Sequence, residues 1–182
     1  MINDIEKILV SEEQINELCE RIAKQIDNDY KNSNKLVLIC ILKGSLPFTA
    51  ELMKRISLPL ELEFMKVSSY GASTTSSGVI NLHLDLNRDD LSDADFIVVE
   101  DIVDSGRTLK YLTEYLAFKG ARSVKTCTLL DKPSRRVVEF EPDYKGVEIP
   151  DEFVVGYGLD YAEKYRALPY VGILKPSVYL NV

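Results

Sequence analysis

The sequence predicts an α/β fold, a mostly parallel central sheet flanked by helices. Apolar runs of strand length recur along the chain, and Leu36–Leu42 (LVLICIL) is the longest. Segments with helical spacing alternate with several of them. Polar, glycine-bearing stretches fall just after the apolar runs, where an open parallel sheet places its ligand-binding loops.

Each element follows from its own residues. Ser11 and Gln14 form an S-x-x-Q capping pattern, and Ile15, Leu18, Cys19, Ile22, Ala23 and Ile26 then share one helical face. Leu36–Leu42, apolar at every position, reads as a central strand covered on both faces. Pro47 opens a short helix through Arg55, since proline is tolerated in a first turn. Leu60–Val67 and Val79–Leu84 alternate apolar and polar residues, as strands with one face in water do. Between them lies Ser68–Gly78, rich in Ser, Thr and Gly, so the pair reads as a hairpin added to the sheet. Phe96–Val99 is a further apolar strand, followed by a turn and a helix from about Arg107 to Lys119, stopped by Gly120. Val124–Leu130, Phe153–Tyr157 and Tyr170–Leu174 supply the remaining strands. No repeat, low-complexity tract or Pro/Gly-rich linker divides the 182 residues, so one domain over 1–182 is expected.

Composition narrows the function classes. Hydrophobic residues make up 46% and charged residues 28%, ordinary for a soluble globular protein. The net charge of −7, with no long Lys/Arg cluster, argues against a nucleic-acid or membrane partner bound through a broad basic face. A small phosphorylated ligand needs only local donors and a metal, and is compatible with that charge. The stretch MINDIEKILV lacks the basic and apolar regions of a signal peptide, and no apolar run approaches the ~18 residues of a membrane span. Cys19, Cys40 and Cys127 lie in apolar segments without metal-ligand spacing, as buried free thiols of a reducing cytoplasm do. His83 reads as strand surface.

The chemistry concentrates in Phe96–Leu109 (FIVVEDIVDSGRTL). A buried strand ends in Glu100-Asp101, a tight turn Asp104-Ser105-Gly106 follows, and a helix starts near Arg107 or Thr108. Main-chain N–H groups at the helix start, with the Ser105 and Thr108 hydroxyls, form a phosphate cradle. Gly106 lets the backbone approach the anion. Two carboxylates at a strand end suit sugar hydroxyls or a metal. Asp104 and Ser105 as mere helix caps is the simpler reading. It accounts for one of them and leaves Glu100-Asp101 unexplained.

VVEDIVDSGRTL resembles the phosphoribosyl-pyrophosphate motif of type I phosphoribosyltransferases. Leu42-Lys43-Gly44 resembles the pyrophosphate loop of one subfamily, and Ser69-Tyr70, within 68–78, resembles its mobile flap. Leu130–Arg136 and Phe153–Asp160 resemble its purine clamp. Order and spacing are similar to the hypoxanthine-guanine phosphoribosyltransferases, the short bacterial forms in particular, over nearly the whole chain.

The resemblance implies a small hood beside the sheet, a mobile flap and an Mg²⁺-dependent purine-salvage reaction. In it the 5-phosphoribosyl group passes from phosphoribosyl pyrophosphate to N9 of hypoxanthine or guanine, giving IMP or GMP and pyrophosphate. Glu100 and Asp101 hold the ribose hydroxyls and help position the metal. Asp104, Ser105, Gly106, Arg107 and Thr108 bind the 5′-phosphate, and Asp104 is the general base or acid at purine N7. Lys43, Gly44 and Arg166 face pyrophosphate, with a cis peptide between Leu42 and Lys43. Phe153 stacks on the purine, the Val154 main chain pairs with its ring and Lys132 donates to O6. Asp160 offers its carbonyl to a 2-amino group and, through water, its carboxylate to a second metal. The family further implies a homodimer or homotetramer. Three other readings stand beside it: an enzyme of the same fold with another base, an RNA-binding regulator, and a phosphoacceptor receiver domain. The last needs an acidic pair after its first strand, where this chain has Lys43-Gly44.

Overall fold

The computed structural model describes residues 2–69 and 80–180, with the side chain of Ser69 excepted. In chain order the elements are β1 (Ile5–Val10), α1 (Glu12–Asp29), β2 (Leu36–Ile41), α2 (Leu46–Arg55), β3 (Leu60–Ser69) and β4 (Ile80–Leu84). There follow β5 (Asp95–Val103), α3 (Arg107–Phe118), β6 (Ser123–Asp131), β7 (Tyr144–Glu148), β8 (Val154–Val155), β9 (Val171–Leu174) and α4 (Pro176–Tyr179). Tyr70 and most of the expected flap lie outside the described residues. Among those described, no helix is long and apolar enough to cross a membrane.

The main sheet runs β4-β3-β2-β5-β6-β7, parallel throughout except where β4 pairs antiparallel with β3. Alternation along the central strands divides the core in two. Leu36, Leu38, Ile97 and Val99 join the cluster that holds the buried faces of α1 and α2. Val37, Ile39, Phe96 and Val98 join Leu109, Leu112 and Leu116 of α3. The expected capping box at α1 forms: the Ser11 hydroxyl accepts from Gln14 N–H at 3.3 Å, and Gln14 Oε1 accepts from Ser11 N–H at 2.8 Å. All three cysteines are free and buried, and burial pushes the Cys19 thiol up to about 11.

A second sheet, β1-β9-β8, is antiparallel and corresponds to the expected hood. Three strand expectations need correction here. β1 and β7 were not foreseen: β1 is mostly exposed and β7 is a short edge strand, so neither carries an apolar run. Phe153–Tyr157 shrinks to Val154–Val155, because Gly156 and Tyr157 take φ of +98° and +48° and turn the chain out of the sheet.

Candidate active site

The site lies at the carboxyl ends of the parallel strands. β2 and β5 pair only as far as Cys40 and Val99, while β5 continues along β6 to Val103. Glu100 and Asp101 therefore lie inside β5, not at its end as the sequence implied. They sit where β2 has turned away into Leu42-Lys43-Gly44. The Leu42–Lys43 peptide is cis. A Cβ on Gly44 would fall 1.6 Å from Asp101 Oδ2, and a Cβ on Gly158 would fall 1.9 Å from the Gly44 carbonyl oxygen. Only glycine lets these backbones meet the acidic pair.

Burial, then the repulsion of Asp101, raises the Glu100 carboxyl well above its ordinary value. Burial raises Asp101 to about 6, against the lowering pull of the Ile102 N–H and Arg166. Glu100 Oε2 is buried without a hydrogen-bond partner. Such a pair calls for a cation or for hydroxyl donors.

Next along β5 comes a polar cavity of about 200 Å³, lined by Glu100, Val103, Asp104, Ser105, Gly106 and Thr108 among others. Gly106 caps α3 with φ +80°, and Gly106, Thr108 and Leu109, at the start of this twelve-residue helix, line the space. A Cβ there would lie 2.9 Å from Arg136 Cδ, so glycine is needed for the turn and for packing as much as for an anion. Ser105 Oγ accepts weakly from Arg107 N–H at 3.4 Å. The capping reading fails for Asp104, whose carboxylate instead accepts from Arg135 Nε at 3.3 Å. Arg107 does not line the cavity, and its N–H is turned to Ser105 Oγ.

Arg136 closes the segment Leu130–Arg136, and nothing in the sequence marks its task. Its guanidinium donates to the carbonyls of Asp104 at 2.7 Å, Val103 at 3.2 Å and Phe140 at 3.1 Å, and pairs with the fully buried Asp131. It fixes the strand end from which Asp104 projects.

A second cavity, of about 360 Å³, adjoins the hood and contains Ile102, Asp104, Lys132, Phe153, Val154, Leu159 and Tyr179 in its lining. Asp104 and Ile102 border both cavities. Lys132 is buried, and its ammonium donates to the Glu152 carbonyl at 2.5 Å. Leu174 N–H donates to the Phe153 carbonyl at 2.8 Å, which makes that the hydrogen-bonded pair of β9 and the chain entering β8. By alternation Val154 and Ile173 form a non-hydrogen-bonded pair, so the Val154 main-chain groups point out from the edge of the sheet.

The expected pyrophosphate cations are both engaged. Lys43 Nζ lies 3.2 and 3.1 Å from the Glu163 oxygens. Arg166 pairs with Asp160 at 2.7 Å and donates to the Gly158 carbonyl at 2.7 Å, while its Nε is buried and unpartnered. Asp160 also accepts from Glu163 N–H at 2.9 Å. Glu163 escaped sequence reasoning, since nothing in its neighbourhood marks it. With Tyr157, Ala162 and Tyr165 it is one of four non-glycine residues at positive φ among the described residues, a conformation kept only where the surroundings enforce it.

Among the described residues no three His, Cys, Asp or Glu converge to hold a metal unaided. Asp160 thus does not complete a trio with Glu100 and Asp101. An all-oxygen pair with one orphaned buried oxygen still fits a hard cation that takes its other ligands from water and phosphate.

This chain is similar to known proteins along nearly its whole length. The model of the phosphoribosyl transferase domain matches residues 8–162. The hypoxanthine-guanine phosphoribosyltransferase of Lactococcus lactis is 55% identical over 175 residues, covering 96% of this chain and 94% of its own. The bifunctional protein TilS/HprT of Listeria monocytogenes is 51% identical over 98% of this chain, which spans 27% of that longer protein. A crystal structure of a hypoxanthine phosphoribosyltransferase from Staphylococcus aureus matches with a TM-score of 0.92 at 47% identity, covering 98% of this chain and 96% of the other.

Proposed function

The chain belongs to the hypoxanthine-guanine phosphoribosyltransferase family and has the type I phosphoribosyltransferase fold, and from that premise we propose that it joins hypoxanthine or guanine to phosphoribosyl pyrophosphate. One observation carries the reading at the level of the site: Asp104 borders both the polar cavity at the start of α3 and the aromatic cavity beside the hood. A sugar phosphate in the first and a purine in the second would meet at that carboxylate.

In this reading the N–H groups at the start of α3, with Ser105 and Thr108, hold the 5′-phosphate. Glu100 and Asp101 hold the ribose hydroxyls and a divalent cation, which we take to be Mg²⁺. Bound there, the cation supplies charge neutralisation at pyrophosphate oxygens. N9 of the base attacks C1′, the bond from C1′ to the pyrophosphate oxygen breaks, and the N7 proton passes to Asp104. Arg135, 3.3 Å from the Asp104 carboxylate, holds it in place between the two cavities. Lys43, Gly44 and the free Nε of Arg166 receive the departing pyrophosphate. Lys132 donates to O6, the Val154 main chain pairs with the ring edge, and Phe153 offers a face to the base. The 2-amino group of guanine reaches the Asp160 carbonyl. We read the chain as one domain, working as a homo-oligomer in the cytoplasm, where its three thiols stay reduced.

The test is direct. With phosphoribosyl pyrophosphate and Mg²⁺, hypoxanthine and guanine should each yield a nucleotide, with adenine almost inactive. Excess chelator should abolish turnover. Nucleotide formation that survives chelation would remove the metal from the scheme.

A further inference from the structure

We infer that Tyr179, the last residue of α4, is a positioning residue for the base, acting through Phe153. The inference rests on reading the cavity around Lys132 and Phe153 as the base site. Phe153 enters β8 with its main chain fixed by Leu174, yet its side chain stays 39% exposed beside that cavity. A ring left on such a junction can turn about two side-chain bonds, and a base stacking on it would first have to arrest it.

Two aromatic neighbours prevent this. Tyr179 stacks on the Phe153 ring at 4.8 Å between centroids and 22° between planes, and Tyr161 meets it edge-on at 5.7 Å and 88°. Contacts nearly at right angles fix both torsions. Tyr179 is the one of the two that also lines the cavity. With one Phe153 face against Tyr179, a base in the cavity would be received on the other.

Tyr179 is itself held. Lys175 N–H donates to the Asp4 carbonyl at 2.9 Å and Lys175 Nζ to the Asn3 carbonyl at 2.6 Å. Val178 N–H then closes the helical turn on the Lys175 carbonyl at 2.9 Å. A line of contacts thus runs from Asn3 and Asp4, just before β1, through α4 to the Phe153 ring. The ligand class is a planar heterocycle, and Tyr179 sets the plane in which it is received.

The experiment compares Tyr179→Leu, Tyr179→Met and Tyr179→Phe with Phe153→Leu, measuring KM for hypoxanthine and for phosphoribosyl pyrophosphate, with a melt of each variant. Tyr179→Leu and Tyr179→Met should raise the hypoxanthine KM about three- to tenfold, the factor one aromatic pair supplies. The phosphoribosyl pyrophosphate KM should stay within twofold, and Tyr179→Phe should restore the wild-type value. If Phe153→Leu raises the hypoxanthine KM while Tyr179→Leu and Tyr179→Met do not, the inference is overturned and the base site stands. If Phe153→Leu changes nothing either, both fall. Equal rises in both KM values would make Tyr179 merely structural, and a fall in the hypoxanthine KM would make it an obstruction. Either result overturns the inference.

Discussion

Two side chains carry the sharpest consequences. Asp104 neither caps α3 nor is buried. Its carboxylate is half-exposed between two cavities and, among the described residues, paired with Arg135 at 3.3 Å. Asp104→Asn keeps the shape and removes the proton acceptor, so kcat should fall roughly 10²-fold or more, with the melting temperature little changed. A variant that turns over like the wild type would exclude proton transfer at this position. Lys132 is the residue proposed above to set base choice, and its chemistry says how. An ammonium only donates, and among the described residues it is buried with one carbonyl partner, that of Glu152. Hypoxanthine presents an acceptor to it and adenine a second donor. Sites built to bond one group reject analogues lacking it by ~10⁴–10⁵; allowing for a relaying water, adenine should be used at least ~10³-fold less efficiently. Lys132→Gln, able to donate or accept, should narrow that ratio and weaken hypoxanthine use. An unchanged ratio of kcat/KM would move discrimination to the Val154 main chain.

At the scale of elements, β5 shows what a sequence can and cannot disclose. Its apolar run and the turn Asp104-Ser105-Gly106 were legible because burial and turn chemistry leave local marks. That Glu100-Asp101 lie within the strand was not, since it depends on where β2 stops pairing. β1, β7, Glu163 and Tyr179 stayed invisible for a related reason: their roles come from partners distant in the chain. The acidic pair also fixes a pH response. Burial raises both carboxyls, Asp101 to about 6, so they bind protons more readily in the fold than in the unfolded chain. Acidification through about 6 should therefore weaken phosphoribosyl pyrophosphate and metal binding without destabilising the fold through this pair. Asp95 behaves oppositely. Burial would raise it, but Arg122, Ser123 and Ser33 outweigh that and hold it at about 2. Its contribution is present above the unfolded value near 3.8 and is lost as pH falls towards 2. The KM for phosphoribosyl pyrophosphate should rise below pH ~6 while the melting temperature holds, and this rise should flatten in Asp101→Asn, which separates it from titration of the substrate itself. A profile identical in wild type and Asp101→Asn would refute the assignment.

For the whole molecule, the open question is assembly. The outer face of α2, against β3, carries an apolar cleft of about 430 Å³ lined by Leu46, Thr49, Ala50, Met53, Lys54 and Leu62. Leu46 is 48% exposed and Met53 36%, and Phe64, further along β3, is 36% exposed. Side chains of this size left in water on adjoining elements are what an interface buries, at ~25 cal/mol per Å² removed from solvent. A second copy of the chain is the occupant the family resemblance implies. α2 begins two residues after Gly44, so a partner pressed on this face would also stiffen Leu42-Lys43-Gly44, the segment read as the pyrophosphate loop. Sedimentation equilibrium should accordingly find a dimer or tetramer. Met53→Glu, which places a charge in the cleft, should shift the chain towards monomer. The same variant should raise the KM for pyrophosphate in the reverse reaction more than the KM for the nucleotide, because α2 follows directly on the segment read as the pyrophosphate loop. A wild-type monomer would dismiss the assembly. A monomeric but fully active Met53→Glu would show instead that the loop holds its shape alone, through the contacts of Gly44 with Asp101 and Gly158.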